Sequence, residues 1–128
     1  MLDKFIVEII SPDKSILKLQ TSQVTIPSYE GQMGILKDHI PLITFLRPGI
    51  ISIQDQEEKK YYIEEGTVEF SNNNLLILTS TAKDLKNLNK SMIDDLLKQV
   101  ENKDIETFSD KEKYLLSHKV NTLKEINQ

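Results

Sequence analysis

Cysteine is absent from the 128 residues, which removes disulfide frameworks, thiolate metal sites and cysteine nucleophiles together. Tryptophan is absent, arginine occurs once and histidine twice. No excess of positive charge exists: 16 basic residues face 20 acidic ones, for a net charge of −4. That balance argues against a nucleic-acid-binding face and against a polybasic membrane anchor. The longest purely apolar run is the four residues Leu75–Leu78, against about 20 needed to span a bilayer. The start, Met1-Leu2-Asp3-Lys4, carries acids at Asp3 and Glu8, and no apolar region of leader length follows. It fits neither a secretory leader nor an Arg- and Ser-rich transit leader, so the chain reads as soluble and cytosolic-facing.

Glycine and proline are missing from a whole region. All four glycines lie in the first 66 residues and all four prolines in the first 48. Both residues punctuate turns and oppose helix interiors. The first part should therefore be turn-rich, and the end is free to be helical, with the break near Ser80–Asp84.

What is present before the break reads as short strands. Phe5–Ile10 is β-branched and stops at Ser11-Pro12-Asp13-Lys14, a turn signal. Ser15–Leu19, Gln23–Ile26, Ile50–Ile53, Tyr61–Ile63, Thr67–Phe70 and Leu75–Leu78 follow, separated by Pro, Gly, Asn or charge clusters. Short strands at such spacing indicate an all-β sandwich or barrel. After the break, Leu85, Leu88, Met92, Leu96 and Val100 recur at steps of three and four, widened by Ile93 and Leu97. The spacing predicts a helix from Leu85 onward. A link near Asn102–Ser109 precedes a second helix, with Ser109 and Glu112 spaced as a capping box and Leu115, Leu116, Val120, Leu123 and Ile126 as its stripe. Two such helices form a hairpin, and each alone is marginal in water. They must bury their stripes on each other, on the β part or on a partner.

Catalytic chemistry finds little support. His39 and His118 are far apart in sequence, and metal ligands usually cluster on one element or turn. Gly31-Gln32-Met33-Gly34 lacks the remainder of a phosphate loop and reads as a tight turn. The acid pairs Glu57-Glu58, Glu64-Glu65 and Asp94-Asp95 are neighbours in sequence, whereas glycosidases set their carboxylates across a cleft. No enzyme activity, metal or cofactor is expected. The distinctive stretch is 24–49, which packs three prolines, three glycines, His39 and the single Arg47 into a dense succession of turns. A fixed, turn-rich face on a sandwich is a natural recognition surface.

That stretch resembles the epsilon-subunit family of the rotary ATP synthase, counterpart of the mitochondrial delta subunit. The resemblance rests on Glu30-Gly31, Gly34-Ile35-Leu36, His39, Pro41-Leu42 and Pro48-Gly49 in order and spacing. Glu65-Gly66-Thr67-Val68-Glu69-Phe70 and the opening Phe5–Ser11 extend it. It implies a mainly β plus α fold. An N-terminal β-sandwich of about ten strands (residues 1–83) is followed by a C-terminal antiparallel helical hairpin (84–128). It also implies a non-catalytic place in the central stalk, coupling rotation of the membrane c-ring to ATP synthesis. The sandwich would bind the gamma subunit on one side and the c-ring at its lower end, with Glu30, Gly31, Gln32 and His39 at the ring. Gln32 stands where many members carry an acid. The chain would then be a peripheral membrane protein on the cytoplasmic side of the bacterial inner membrane, held through the complex, with no nucleic-acid partner.

The hairpin's role diverges within the family. In some members it reaches the alpha/beta catalytic head and inhibits ATP hydrolysis; in others it folds down and binds ATP. The segment matching that nucleotide site is Ile93-Asp94-Asp95-Leu96-Leu97-Lys98. It offers Ile93, Asp94 and Lys98 and makes an ATP-sensing module the alternative role. Leu97 occupies the family's arginine position, and Lys98 sits about 100° further round the helix.

Overall fold

The computed structural model describes residues 3–101 and 105–127. The first two residues and the centre of the interhelical link lie outside the described residues. Ten strands precede two helices: β1 Phe5–Ile10, β2 Ser15–Thr21, β3 Gln23–Ser28, β4 Gly31–Leu36, β5 Leu42–Leu46, β6 Gly49–Ile53, β7 Lys59–Ile63, β8 Gly66–Ser71, β9 Asn74–Leu78, β10 Lys83–Asp84, α1 Lys90–Glu101 and α2 Asp110–Ile126.

Alternation along the strands builds two layers. Phe5, Val7 and Ile9 of β1 are buried while their neighbours are half-exposed, as period-two geometry requires. Val68 and Phe70, Leu75 and Ile77, Ile51 and Ile53, and Val24 and Ile26 face them in one core. The hydrogen-bonded order is β10-β7-β6-β3-β5-β8-β9-β1-β2, with β4 paired to the free side of β3. Strands β4-β3-β6-β7-β10 form one layer and β5-β8-β9-β1-β2 the other, joined through the single pairing Ser28–Leu46. Among the assigned pairs β1–β9 is parallel and the others antiparallel. At the core's middle, Phe5 and Phe70 meet edge to face with centroids 5.7 Å apart.

The structure differs from the sequence reading in two places. The stretch 24–49 is not mainly turns: β4 and β5 run through it. Gly31 and Gly34 lie in β4, an edge strand whose assigned partner is β3; Pro41 and Pro48 fall between strands; and Pro27 lies within β3, opposite Gln32. The first long helix begins at Lys90 and not at Leu85. Lys83 and Asp84 pair with Tyr62 and Tyr61, a single 3-10 turn follows over Leu85–Asn87, and Asn89 caps α1 by accepting the Met92 N–H at 2.9 Å. The buried stripe is consequently Ile93 and Val100 flanked by Leu96 and Leu97, while Met92 is 48% exposed. At α2 the capping box between Ser109 and Glu112 is formed as the sequence indicated. Among the described residues no helix is long and apolar enough to cross a membrane.

Two glycines separate packing from permissiveness. A Cβ on Gly49 would stand 2.5 Å from the Pro27 Cβ, a rigid ring that cannot swing away. One on Gly34 would meet only the Gln23 side chain at 3.7 Å. Gly49→Ala should therefore cost about 1–3 kcal/mol in urea unfolding. Gly34→Ala should change stability by less than about 0.5 kcal/mol, as ordinary surface substitutions do. Equal effects from the two would refute this packing account.

Candidate functional site

Three surfaces of the sandwich carry recognisable chemistry. The first is the β3–β4 tip. Ser28 pairs with Gly31 across the turn, and the Ser28 hydroxyl donates to the Gly31 carbonyl at 2.6 Å. Gly31 has φ of +130°, a conformation side chains rarely adopt, so glycine is required there. The Tyr29 N–H donates to the Phe45 carbonyl and the Arg47 N–H to the Pro27 carbonyl. These bonds fix the base of the tip and leave Glu30 and Gln32 exposed.

His39 does not join them. It follows the far end of β4, and six strand residues put about 20 Å between the two ends. There the His39 ring packs edge-on against Phe70 at 5.8 Å, and the His39 backbone N–H donates to the Leu36 carbonyl. Asp38 and Asn73 exchange hydrogen bonds of 2.7 and 3.0 Å, tying the β4–β5 turn to the β8–β9 turn. The four candidate ring-contact residues therefore divide, Glu30, Gly31 and Gln32 at one end and His39 at the other.

The second surface is apolar. On β5, Ile43 and Phe45 are 73% and 58% exposed, and Leu78 of β9 is 44% exposed. Register places Phe45 beside Thr67, Thr67 beside Leu78, and Leu78 beside Ile10. These side chains share the outer face of one layer, next to an open depression of about 660 Å³ that Phe45, Leu78 and Ile10 line with Pro12 and Glu65. A contiguous exposed apolar patch rimmed by polar groups marks an interaction surface.

The third surface is covered by the helical hairpin. On β7, Tyr61 and Ile63 point into the sandwich core while Tyr62 points the other way, into a second cluster with Ile93 and Leu123. The buried Tyr62 hydroxyl donates to Glu64 Oε2 at 3.1 Å, and Lys119 Nζ of α2 donates to the same oxygen at 2.8 Å. Burial would raise the Glu64 carboxyl, but the bonds from Lys119 and Tyr62 outweigh it and hold Glu64 below the usual carboxylate range. Burial, followed by the Glu64 charge, pushes the Tyr62 phenol up, so it remains a donor. Further along α2, the Tyr114 hydroxyl donates to the Tyr29 carbonyl at 2.8 Å, beside the tip. Sequence reasoning missed Tyr62, Glu64 and Lys119 as a unit. Only the run of three buried residues Tyr61-Tyr62-Ile63, unlike an alternating strand, hinted that both faces of β7 are covered.

The candidate nucleotide residues do not converge. Ile93 is 3% exposed and packs under Tyr62, whereas Lys98 is exposed and Asp94 accepts a 3.5 Å bond from Asn127. The cleft of about 670 Å³ beside α1 is lined by Tyr61, Leu88, Met92, Asp95 and Leu96 among others, and by none of those three. Among the described residues no cluster of three or more His, Asp or Glu could hold a metal.

Residues 4–84 match the family model described as the beta-sandwich domain of the ATP synthase delta/epsilon chain. Over 130 aligned residues the chain is 46% identical to the ATP synthase epsilon chain of Pelagibacter ubique (strain HTCC1062), covering 99% of this chain and 100% of that one. It is 37% identical over 101 residues to the mitochondrial ATP synthase subunit delta of Schizosaccharomyces pombe, covering 76% of this chain and 60% of that one. A chain of the Euglena gracilis mitochondrial ATP synthase OSCP/F1/c-ring structure shares the fold with a TM-score of 0.75 at 20% identity, over 97% of this chain and 79% of that one.

The Lys119–Glu64 pair is the partly buried ion pair among the described residues, at 16% and 25% side-chain exposure, and it joins helix to sandwich. Glu64→Gln should loosen hairpin docking by about 1.5–3 kcal/mol, the usual worth of a hydrogen bond to a charged group. Amide hydrogen exchange in α2 should then speed up about tenfold to a hundredfold, with β1 and β9 unaffected. Unchanged α2 protection would show that the pair does not hold the helices.

Proposed function

The chain belongs to the delta/epsilon family of ATP synthase subunits, and on that premise we propose that it is a non-catalytic subunit of the rotating central stalk. Full-length 46% identity to a bacterial epsilon chain carries this reading. In it, the sandwich of residues 1–83 docks on the gamma subunit and the c-ring, and the hairpin of residues 84–128 is the regulatory part. The protein sits peripherally at the cytoplasmic side of the bacterial inner membrane, held there by the complex.

The surfaces divide these tasks. The apolar face of Ile43, Phe45 and Leu78 is suited to a tight, largely desolvated contact and is assigned to gamma. The Glu30-Gly31-Gln32 tip is suited to the polar loops of the c-ring, because its two side chains are polar and exposed on a backbone-fixed turn. Exposed ion pairs are worth about 0–1 kcal/mol, so the tip sets orientation while the apolar face supplies affinity. His39, at the opposite end, is assigned to the gamma side and not to the ring.

The test is binding of the full chain to its own gamma subunit by size-exclusion chromatography and calorimetry. The wild-type chain should co-elute. Ile43→Ser with Phe45→Ser should weaken binding by about 2 kcal/mol or more, roughly thirtyfold in Kd. Glu30→Ala should leave gamma affinity unchanged and lower the yield of ATP synthesis per proton in reconstituted complexes. Absence of co-elution would overturn the stalk reading. An unchanged Kd in the double variant would move the gamma contact to another face.

A further inference from the structure

A narrow cleft of about 280 Å³, mostly polar in its lining, lies between α2 and strands β6 and β7. Arg47, the chain's single arginine, forms part of its wall. The Arg47 backbone N–H donates to the Pro27 carbonyl and its Nη1 to the Pro48 carbonyl, both at 3.0 Å, so the residue is held at its backbone and at its head. A Cβ on Gly49 would stand 3.3 Å from Nη1, so glycine there leaves the guanidinium its place. Yet Arg47 Nε is buried and has no hydrogen-bond partner. Thr122 of α2 lines the same cleft at 7% exposure, and its hydroxyl also makes no bond among the described residues. The buried hydroxyls of Thr21, Ser28 and Thr79 are all bonded. Register sets Ser52 of β6 directly opposite Lys60 of β7, and both line the cleft with Glu125 of α2. The nearest carboxylate to Lys60 Nζ is Glu58, only at 4.0 Å. Two cations, two hydroxyls and one carboxylate therefore surround one small space, and two of the donors lack acceptors.

We propose that this cleft is a binding site for inorganic phosphate, taken as hydrogen phosphate: Arg47 and Lys60 hold its charged oxygens, the Ser52 and Thr122 hydroxyls donate to them, and the Glu125 carboxylate accepts from its P–OH. A buried donor without an acceptor is costly, and an oxyanion supplies acceptors to Arg47 and Thr122 together. The guanidinium fork suits the paired oxygens of a phosphate, and a charged acceptor shortens and strengthens each bond. Glu125 sets the selectivity. An anion with no proton to donate, such as sulfate, meets that carboxylate as a like charge, whereas hydrogen phosphate turns it into an acceptor. A nucleotide gains little here, because the mostly polar lining gives a base no apolar wall. Nor does the cleft involve Ile93, Asp94 or Lys98. The site goes beyond the stalk reading and does not rest on it. Binding is measured on the isolated full chain, so either can fail without the other.

The experiment is an NMR titration of the full chain with inorganic phosphate, slightly above neutral pH and at constant ionic strength in chloride. The amide resonances of Ser52, Lys60, Thr122 and Glu125 should shift saturably, while those of β1 and β9 stay in place. Sulfate should bind about tenfold more weakly, the worth of one hydrogen bond to a charged group. Arg47→Gln and Lys60→Gln should each weaken phosphate binding about tenfold or more by the same measure. Lys111→Gln, which removes a cation elsewhere on α2, should leave it unchanged. Glu125→Gln should abolish the preference for phosphate over sulfate. If Arg47→Gln disturbs the fold, Thr122→Val decides, because it keeps the shape and removes one donor, and it should weaken phosphate binding severalfold. No saturable shift at the cleft, equal affinity for sulfate, or unchanged binding in these cleft variants would overturn the proposal. So would ATP binding at the same resonances more tightly than phosphate, since the cleft would then be a nucleotide site.

Discussion

Tyr62 sets the terms for the whole C-terminal part. Its neighbours Tyr61 and Ile63 fill the sandwich core, so alternation sends Tyr62 outward, onto a face that a two-layer fold would leave to water. The residue is nonetheless fully buried. Ile93 and Leu123 cover its ring, and the hydroxyl, which cannot be left unpaired in an apolar site, donates to Glu64. A half-buried carboxylate then needs a cation, and Lys119 on α2 supplies it. One outward tyrosine thus dictates a carboxylate two residues on and a lysine on the last helix.

This seam also positions the candidate contact surfaces. The hairpin lies along the β7 side and reaches Tyr29, the residue before Glu30. The apolar face of Ile43 and Phe45 belongs to the other layer and stays open. A partner on that face and a docked hairpin therefore do not compete for the same residues. The β3–β4 tip lies between them, within reach of both, since Tyr29 touches Phe45 on one side and Tyr114 on the other.

Much of this was legible in the residues, for identifiable reasons. The β-branched run Phe5–Ile10, the alternation in Thr67–Phe70, the loss of Gly and Pro after Gly66, and the Ser109–Glu112 box are local signals, and local structure followed them. β4 and β5 are hidden in the sequence because prolines and glycines crowd in and around them, and of the two β4 takes its glycines at a sheet edge. The start of α1 was misplaced because Leu85 and Leu88 continue a helical stripe, yet pairing of β10 with β7 holds that segment extended until Asn89. The resemblance groups His39 with Glu30, and the strand β4 between them sets the two at opposite ends of the sandwich, a separation that sequence spacing alone does not display. The Tyr62–Glu64–Lys119 unit spans the chain and leaves no local pattern at all.

Why the seam contains charges follows from what an apolar replacement would do. A well-packed hydrophobic substitute for a buried ion pair is often as stable or more so, and the cluster of Ile93, Leu123, Leu96 and Leu97 already supplies apolar contact. Lys119–Glu64 therefore does not maximise adhesion. Removing either partner leaves the other charge desolvated, so the pair penalises any packing in which the two do not meet. Apolar packing brings the helices to this face of the sandwich, and the Lys119–Glu64 pair fixes their position on it.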